Sequence, residues 1–172
     1  MSERAGRERA KEDIGVRPRV LYLVAGSLAL ACTAAGTRPH LEPLPGALVD
    51  TLGIGPGQAI RTLASELEAL GLSVQAQSLA EGYLETRWYD PVARRSVGQE
   101  HRRPSQVFRL RAYADSVPPL SSQLVLEAVY RRTADPSAPG REEEILVPPG
   151  HPGDSLTQRV LDGLRRRFGR SK

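Results

Sequence analysis

The sequence predicts an α+β domain in which two helices pack on one face of a curved antiparallel sheet of three to four strands. Three observations support this fold class. Apolar residues recur at helical spacing in two segments, one near residue 60 and one near residue 160. Between these segments the chain alternates apolar and polar residues, as strands with one buried face do. Clusters of proline and glycine separate the segments from one another.

The first helix is expected to begin at Pro56-Gly57 and to end before Gly71, because proline favours a first helical turn and glycine favours a C-terminal stop. Its apolar positions share one face, namely Ala59, Ile60, Leu63, Leu67 and Leu70. A short strand over residues 73–77 and a turn over residues 79–82 should follow.

The alternating segments predict three longer strands. In residues 83–89, Leu84, Thr86 and Trp88 share one face, so we expect Trp88 in the core beneath the helices. Residues 106–114 and 122–133 continue the sheet, and their inward positions are apolar: Phe108, Leu110, Ala112, Leu124, Leu126, Ala128 and Tyr130. Residues 91–104 between the first two strands are expected to form a long polar loop.

The last helix is expected to begin with Asp154 as its N-cap, because a carboxylate there can accept hydrogen bonds from free backbone N–H groups. One face of this helix is apolar: Leu156, Val160, Leu161, Leu164 and Phe168. The acidic run Glu142-Glu143-Glu144 before it is interpreted as a solvated hairpin tip.

The first third of the chain has the composition of targeting sequence and tether. An uncharged, largely apolar stretch from Val20 to Ala35 follows Arg17 and Arg19, as in a signal peptide. We therefore assign residues 1–31 to a signal peptide, residues 32–50 to a flexible tether and residues 51–170 to a single domain. Residues 1–15 are unusually charged for a signal, so we predict that they are either disordered or not translated, with translation starting at Val16 in the second case.

The residues Ala29-Leu30-Ala31-Cys32 resemble the lipobox of bacterial lipoproteins, in which small residues precede the cysteine that is lipidated. The resemblance implies cleavage before Cys32 and acylation of its thiol, with Thr33 favouring the outer membrane over the inner one. An uncleaved membrane anchor, or a buried helix with an inert cysteine, are the alternatives.

The segment from Gly57 to Phe168 resembles the helix-grip domains of BamC, a lipoprotein of the outer-membrane β-barrel assembly machinery. Its most specific part is Gly82-Tyr83-Leu84-Glu85-Thr86-Arg87-Trp88, followed by the basic strand Phe108-Arg109-Leu110-Arg111. The resemblance implies one helix-grip domain and a role alongside other envelope-assembly proteins.

Four arginines, Arg87, Arg109, Arg111 and Arg131, are predicted to share the outer face of the sheet. They would either form cross-strand pairs with Glu85 and Glu127 or offer a binding surface to an acidic partner. The net charge of +4 does not indicate nucleic acid, because the excess lies in a C-terminal basic cluster. That cluster would complement the helix dipole or contact anionic lipid headgroups.

No arrangement of residues indicates catalysis. His40, His101 and His151 lack a second metal ligand at a suitable spacing, so we predict no metal site and no cofactor. A triad of Ser105, His101 and Asp115 can be drawn, but no nucleophile elbow supports it.

The sequence therefore predicts a non-enzymatic, periplasm-facing lipoprotein, bound to the outer membrane through Cys32, that acts as a scaffold or accessory binding protein in outer-membrane assembly. The alternative is a lipoprotein that carries a small molecule or lipid. An apolar cavity of roughly 300 Å³ or more would favour the carrier.

Overall fold

The computed structural model describes residues 38–39, 42–98, 104–132 and 144–169. All of them belong to one compact unit that spans Gly36–Lys172. The predicted lipidation site, Cys32, and the signal peptide lie outside the described residues, as do His40 and His101.

Within the described residues the main sheet is antiparallel and has six strands, and short strands form both of its edges. The strands are β1 (Leu48–Leu52), β2 (Val74–Ser78), β3 (Tyr83–Thr86), β6 (Arg109–Val117), β7 (Ser121–Arg131) and β8 (Glu144–Leu146). The central pair is a long hairpin of β6 and β7, and the spatial order is β1, β7, β6, β3, β2, with β8 also paired to β7. A separate two-stranded sheet consists of β4 (Trp88–Asp90) and β5 (Arg95–Val97).

Two helices cover one face of the main sheet. Helix α1 (Pro56–Ala69) buries the predicted apolar stripe except for Leu70, which caps the helix and is exposed, and helix α2 (Pro152–Phe168) buries Val160, Leu161 and Leu164. These side chains meet the inward residues of the strands, such as Leu110 and Leu126, in one continuous core. The α+β class with two helices on one face of an antiparallel sheet is thereby confirmed, with six strands in place of three to four.

Within the described ranges, three strands form in segments that the sequence did not mark as strands, among them β8, which pairs with β7. Residues 48–52 pair with β7, from Leu48 opposite Leu126 to Leu52 opposite Ser122. Residues 95–97 pair with β4 inside the predicted polar loop. Because strand β1 and the contacts of Arg38 and Leu44 hold residues 38–39 and 42–50 on the domain, these parts of the predicted tether are packed rather than flexible.

Trp88 is buried, as predicted, but on the opposite face of the sheet from the helices. Pairing along β6 stops after Glu85, which lies opposite Arg111, and resumes one residue out of step at Tyr89, which exchanges backbone hydrogen bonds of 2.7 and 3.1 Å with Phe108. This shifts the side-chain order by one residue, so Tyr89 takes the place in the helix-covered core that was predicted for Trp88.

Helix α2 begins three residues earlier than predicted, and its N-cap is His151 rather than Asp154. The Nδ1 atom of His151 accepts a hydrogen bond from the backbone N–H of Gly153 at 3.0 Å. Asp154 lies in the first turn, where its carboxylate accepts from the backbone N–H of Gly150 and the side chain of Gln158.

Candidate functional site

The face of the sheet that the helices leave uncovered holds a cluster of buried charged side chains. Strict alternation along β3, β6 and β7 directs them to this face, opposite the apolar core. Three arginines and three glutamates form what we call the charged cluster: Arg109, Arg111, Arg131, Glu85, Glu127 and Glu144. Its formal charges cancel, which is the condition under which buried charges are tolerated.

Arg109 and Glu144 are at the centre of the charged cluster. Arg109 donates from Nη1 to Glu85 at 2.6 Å and from Nη2 to Glu144. Glu144 also forms ion pairs with Arg111 and Arg131, with N–O distances of 3.3 and 3.2 Å. Glu144 had been assigned to a solvated acidic tip, but it is 3% exposed because β8 places it against the end of β7.

The charged cluster is shielded from water by two segments from elsewhere in the chain. The indole ring of Trp88 lies over the guanidinium groups of Arg109 and Arg131, at 4.7 and 5.2 Å from its centre. On the other side, the backbone N–H of Leu44 donates to Glu127. Burial raises the pKa of Glu127, while this hydrogen bond and the charge of Arg111 act in the opposite direction.

These contacts settle where the four predicted partner-binding arginines lie. Arg109 and Arg111 are 3% exposed and paired with glutamates, so they do not belong to the accessible surface. The side chain of Arg131 is 17% exposed, and Arg87 is exposed. The structure thus contains the cross-strand pairs that the sequence offered as one interpretation, and it does not bring the four arginines together on one open surface.

An open groove lies at one end of the domain, where α1 ends, α2 begins and the β4–β5 hairpin folds over. Its volume is about 560 Å³. It is lined by Ala69, Leu70, Tyr89, Pro91, Arg94, Phe108, Pro152, Ser155, Leu156 and Arg159. We call it the terminal groove, and it is our candidate functional site because it combines an apolar lining with accessible polar groups.

The chemistry of the terminal groove is apolar at its floor and basic at its rim. Phe108 and Tyr89 are buried and pack edge to face, with ring centres 5.7 Å apart. Leu70 is an exposed apolar side chain on one wall. Arg94 and Arg159 are exposed, and neither forms an ion pair within the described part of the chain. Such a groove suits a ligand with apolar side chains and a negative charge.

His151 lies beside the terminal groove and links its floor to α2. Its ring stacks on Tyr130 and meets Phe108 edge on, with centre distances of 5.9 and 5.7 Å. Burial lowers the pKa of His151, and a hydrogen bond to the backbone of Ser105 and the charge of Asp154 partly oppose that effect. The ring is therefore a neutral N-cap, and its Nδ1 atom acts as an acceptor.

The described residues contain no cluster of side chains suited to holding a metal ion. Asp115, a member of the triad that can be drawn from the sequence, is paired with Arg38 at 2.7 Å, and this pairing lowers its pKa. No helix within the described ranges is long and apolar enough to cross a membrane.

Comparison with known proteins identifies no match to this chain among protein families, curated proteins or solved structures.

Sequence reasoning missed the terminal groove. Its lining residues come from four separate segments, and most of them look like ordinary loop or helix-end positions in the sequence. A local signal was Leu70, an apolar residue at the C-cap of α1 next to the helix stop at Gly71.

Proposed function

We propose that this protein is a non-enzymatic lipoprotein of the bacterial cell envelope that binds a segment of another envelope protein in the terminal groove. The observation that carries this proposal is the groove itself, a solvent-open site of about 560 Å³ with aromatic rings at its floor and two arginines at its rim. Its openness favours a polypeptide segment, which can enter and leave at the ends of an open channel.

The anchoring half of the proposal rests on the N-terminal sequence. The uncharged segment Val20–Ala35 and the residues Ala29-Leu30-Ala31-Cys32 support export and lipidation at Cys32. Diacyl or triacyl modification would hold the protein on a membrane stably, since a single chain gives only marginal binding. The protein would then face the periplasm from the outer membrane, as the resemblance to BamC implies.

The resemblance to BamC supports a role in outer-membrane protein assembly. Two helices lie on one face of an antiparallel sheet, as in the helix-grip arrangement that the motif Gly82 to Trp88 suggested. Within this proposal the protein is a scaffold or accessory binder, and its ligand is a chain segment with apolar and acidic side chains.

Site-specific photo-crosslinking in cells would test the groove. A photoreactive amino acid in place of Leu70 or Leu156 should form adducts with a partner protein, because both positions line the groove. Val49 is a matched control, since it is an apolar side chain with 51% exposure on β1, away from the groove. Introducing Arg94→Glu and Arg159→Glu should reduce the adducts at Leu70 if acidic groups of the partner meet this rim.

Equal adduct formation at Val49 and Leu70 would indicate nonspecific collision, and the absence of adducts at both groove positions would contradict the proposed binding site.

Lipidation is tested separately by fatty-acid labelling. Cys32→Ser should abolish acyl labelling and either move the protein to the soluble fraction or leave an uncleaved precursor. Unchanged labelling of the variant would rule out Cys32 as the modified residue.

A lipid or small-molecule carrier is the second candidate, because the volume of the terminal groove exceeds the roughly 300 Å³ of a small-molecule pocket. The open walls and the two exposed arginines would then suit an amphipathic anion such as a fatty acid or a phospholipid. Protein purified from membranes and analysed by native mass spectrometry would carry a stoichiometric extra mass in this case. Substituting Leu70→Asp should remove that mass.

A further inference from the structure

The described domain has two chemically distinct ends, set by the direction of its strands and helices. One end contains the tip of the β6–β7 hairpin, the turn between β2 and β3, and the C-terminus of α2. There the backbone N–H of Gly53 donates a hydrogen bond to the carbonyl of Phe168. We call this end the hairpin end. The terminal groove lies at the other end, where α1 ends and α2 begins.

The hairpin end carries an exposed apolar tip. Residues 117–120 have the sequence Val-Pro-Pro-Leu, and Pro118, Pro119 and Leu120 are exposed to solvent. Leu120 is 83% exposed, which is among the highest values for a large apolar residue in the described part of the chain. A single exposed leucine is common on protein surfaces, so its meaning depends on what else lies at this end.

The N-terminal segment enters the domain at the same end. Arg38 binds Asp115 on β6 with two hydrogen bonds of 2.7 and 3.0 Å, and its backbone N–H donates to Glu81 in the turn between β2 and β3. Asp115 precedes the apolar tip by two residues, a rise of about 7 Å along a strand. The point where the chain joins the domain is therefore close to Leu120.

The remaining length of chain limits how far this end can lie from an anchor at Cys32. Six residue steps separate Cys32 from Arg38, and even a fully extended chain of that length spans only about 20 Å. A lipidated Cys32 would thus hold the hairpin end near the membrane surface.

We propose that the hairpin end is a membrane-contact surface on which Leu120 inserts into the lipid interface and the terminal groove is turned away from the bilayer. This inference rests on the proposed lipidation of Cys32. Once the anchor is in the membrane, a second contact is intramolecular, so even the weak attraction of one short apolar tip is sufficient to orient the domain.

Charge plays a smaller part in this contact than the basic C-terminus suggests. Arg165 pairs with Asp50 and Asp162, and Arg167 pairs with Glu66, so two of the three guanidinium groups in the last turn of α2 are already partnered and Arg166 alone among them is exposed without a described ion pair. The apolar tip is the group at this end that gains from leaving water.

The test uses the acylated full-length chain reconstituted into vesicles. Cys32 is the single cysteine of the sequence, so in the acylated protein an introduced cysteine is the one reactive thiol. We would attach an environment-sensitive dye at Leu120→Cys and, as a matched control, at Val92→Cys. Val92 is 87% exposed at the tip of the β4–β5 hairpin, beside the terminal groove.

With a quencher attached to the lipid acyl chains, the dye at position 120 should be blue-shifted and quenched several-fold more strongly than the dye at position 92. The same dye at both positions controls for its own affinity for lipid. A third label at Ser116→Cys, read with and without Leu120→Asp, should lose its quenching when the charge is introduced, because the tip then prefers water.

Equal quenching at positions 92 and 120, or stronger quenching at 92, would overturn the proposed orientation. Absence of quenching in vesicles together with photo-crosslinking of position 120 to a protein in cells would also overturn it, since the tip would then dock on a protein. Intact-mass analysis distinguishes a failure of the proposed anchoring from a failure of the proposed orientation. An unacylated Cys32 refutes the proposed anchoring, whereas an acylated chain with an unquenched tip refutes the orientation alone.

Discussion

Replacing Arg109 with methionine should cost the domain about 3–5 kcal/mol of stability, the usual penalty for removing one partner of a buried ion pair. Glu85 and Glu144 would lose their shared cation while remaining 4% and 3% exposed. The charged cluster would change from three cations and three anions to two cations and three anions. The indole ring of Trp88 would also lose the guanidinium that lies 4.7 Å from its centre.

A loss of this size corresponds to a drop in melting temperature of roughly 10–20 °C for a domain of this length. Thermal unfolding of the unit from Gly36 onward, followed by circular dichroism, would measure it. Two variants sharpen the test. Arg109→Met combined with Glu144→Gln restores the charge balance and should recover part of the loss, whereas Arg87→Met, at an exposed position, should change stability by less than about 0.5 kcal/mol. If the melting temperature of Arg109→Met equals that of the wild type, the charged cluster does not stabilise the sheet.

Three further predictions concern other contacts. Trp88→Ala should lower the free energy of unfolding by about 3–5 kcal/mol in denaturant. Trp88→Phe should lower it much less, because phenylalanine keeps an aromatic ring over the arginines and the indole Nε1 of Trp88 has no hydrogen-bond partner within the described residues. Equal losses for the two variants would contradict a role for ring stacking. Gly82→Ala should destabilise the fold, since an added Cβ would lie 2.0 Å from the carbonyl oxygen of Ala114 at a φ of +61°, whereas Gly98→Ala has open space and should be tolerated in the same assay. His151 contributes stability as a neutral cap with a lowered pKa, so that contribution is complete above its unfolded pKa of about 6.5 and declines as the pH falls below it. His151→Asn keeps an acceptor for the N-cap, and its unfolding free energy should therefore depend less on pH between about 7 and 5 than that of the wild type; an equal slope would refute this role.

The parts of the fold that could be predicted are those in which periodicity is long and regular. The hairpin of β6 and β7 alternates without interruption, so Leu110 and Ala112 were correctly placed toward the helices and Arg109 and Arg111 away from them. The apolar stripe of α1 correctly predicted which face of the helix is buried, and the predicted ends of the helix lie within one residue of the observed ends. Short strands such as β1 gave too few positions for a pattern to emerge.

The position of Trp88 could not be predicted because a single residue changed the register. Sequence alternation across residues 83–89 is unbroken, yet the four residue steps from Glu85 to Tyr89 lie opposite only three from Arg111 to Phe108, so one extra residue interrupts the pairing. This extra residue is defined by the pairing with another segment of the chain, and nothing in residues 83–89 themselves indicates it. Burial of Trp88 was still predictable, because a large aromatic ring gains from leaving water on either face.

The charged cluster shows why a pattern of arginines on an outward sheet face does not by itself mark a binding surface. Alternation identifies the face, but whether that face is solvated depends on segments distant in sequence. Leu44 lies 83 residues from the glutamate that it binds, and such a contact leaves no local signal. An uncovered face would have allowed all four arginines to meet a partner, while a covered one requires each buried arginine to have a glutamate, as Arg109 and Arg111 do.

The location of the terminal groove, in contrast, follows from connections that the sequence does encode. Four residues separate the end of α1 from the start of β2, and five separate β8 from α2, so each helix must meet the sheet where the neighbouring strand begins or ends. Strand β2 begins at the end of the domain away from the β6–β7 turn, and β8 lies beside the last residues of β7 at that same end, so α1 finishes and α2 starts there. A cleft between two helix termini at that end was therefore foreseeable, but its depth was not, because the depth depends on the β4–β5 hairpin, whose pairing the polar sequence 91–98 conceals.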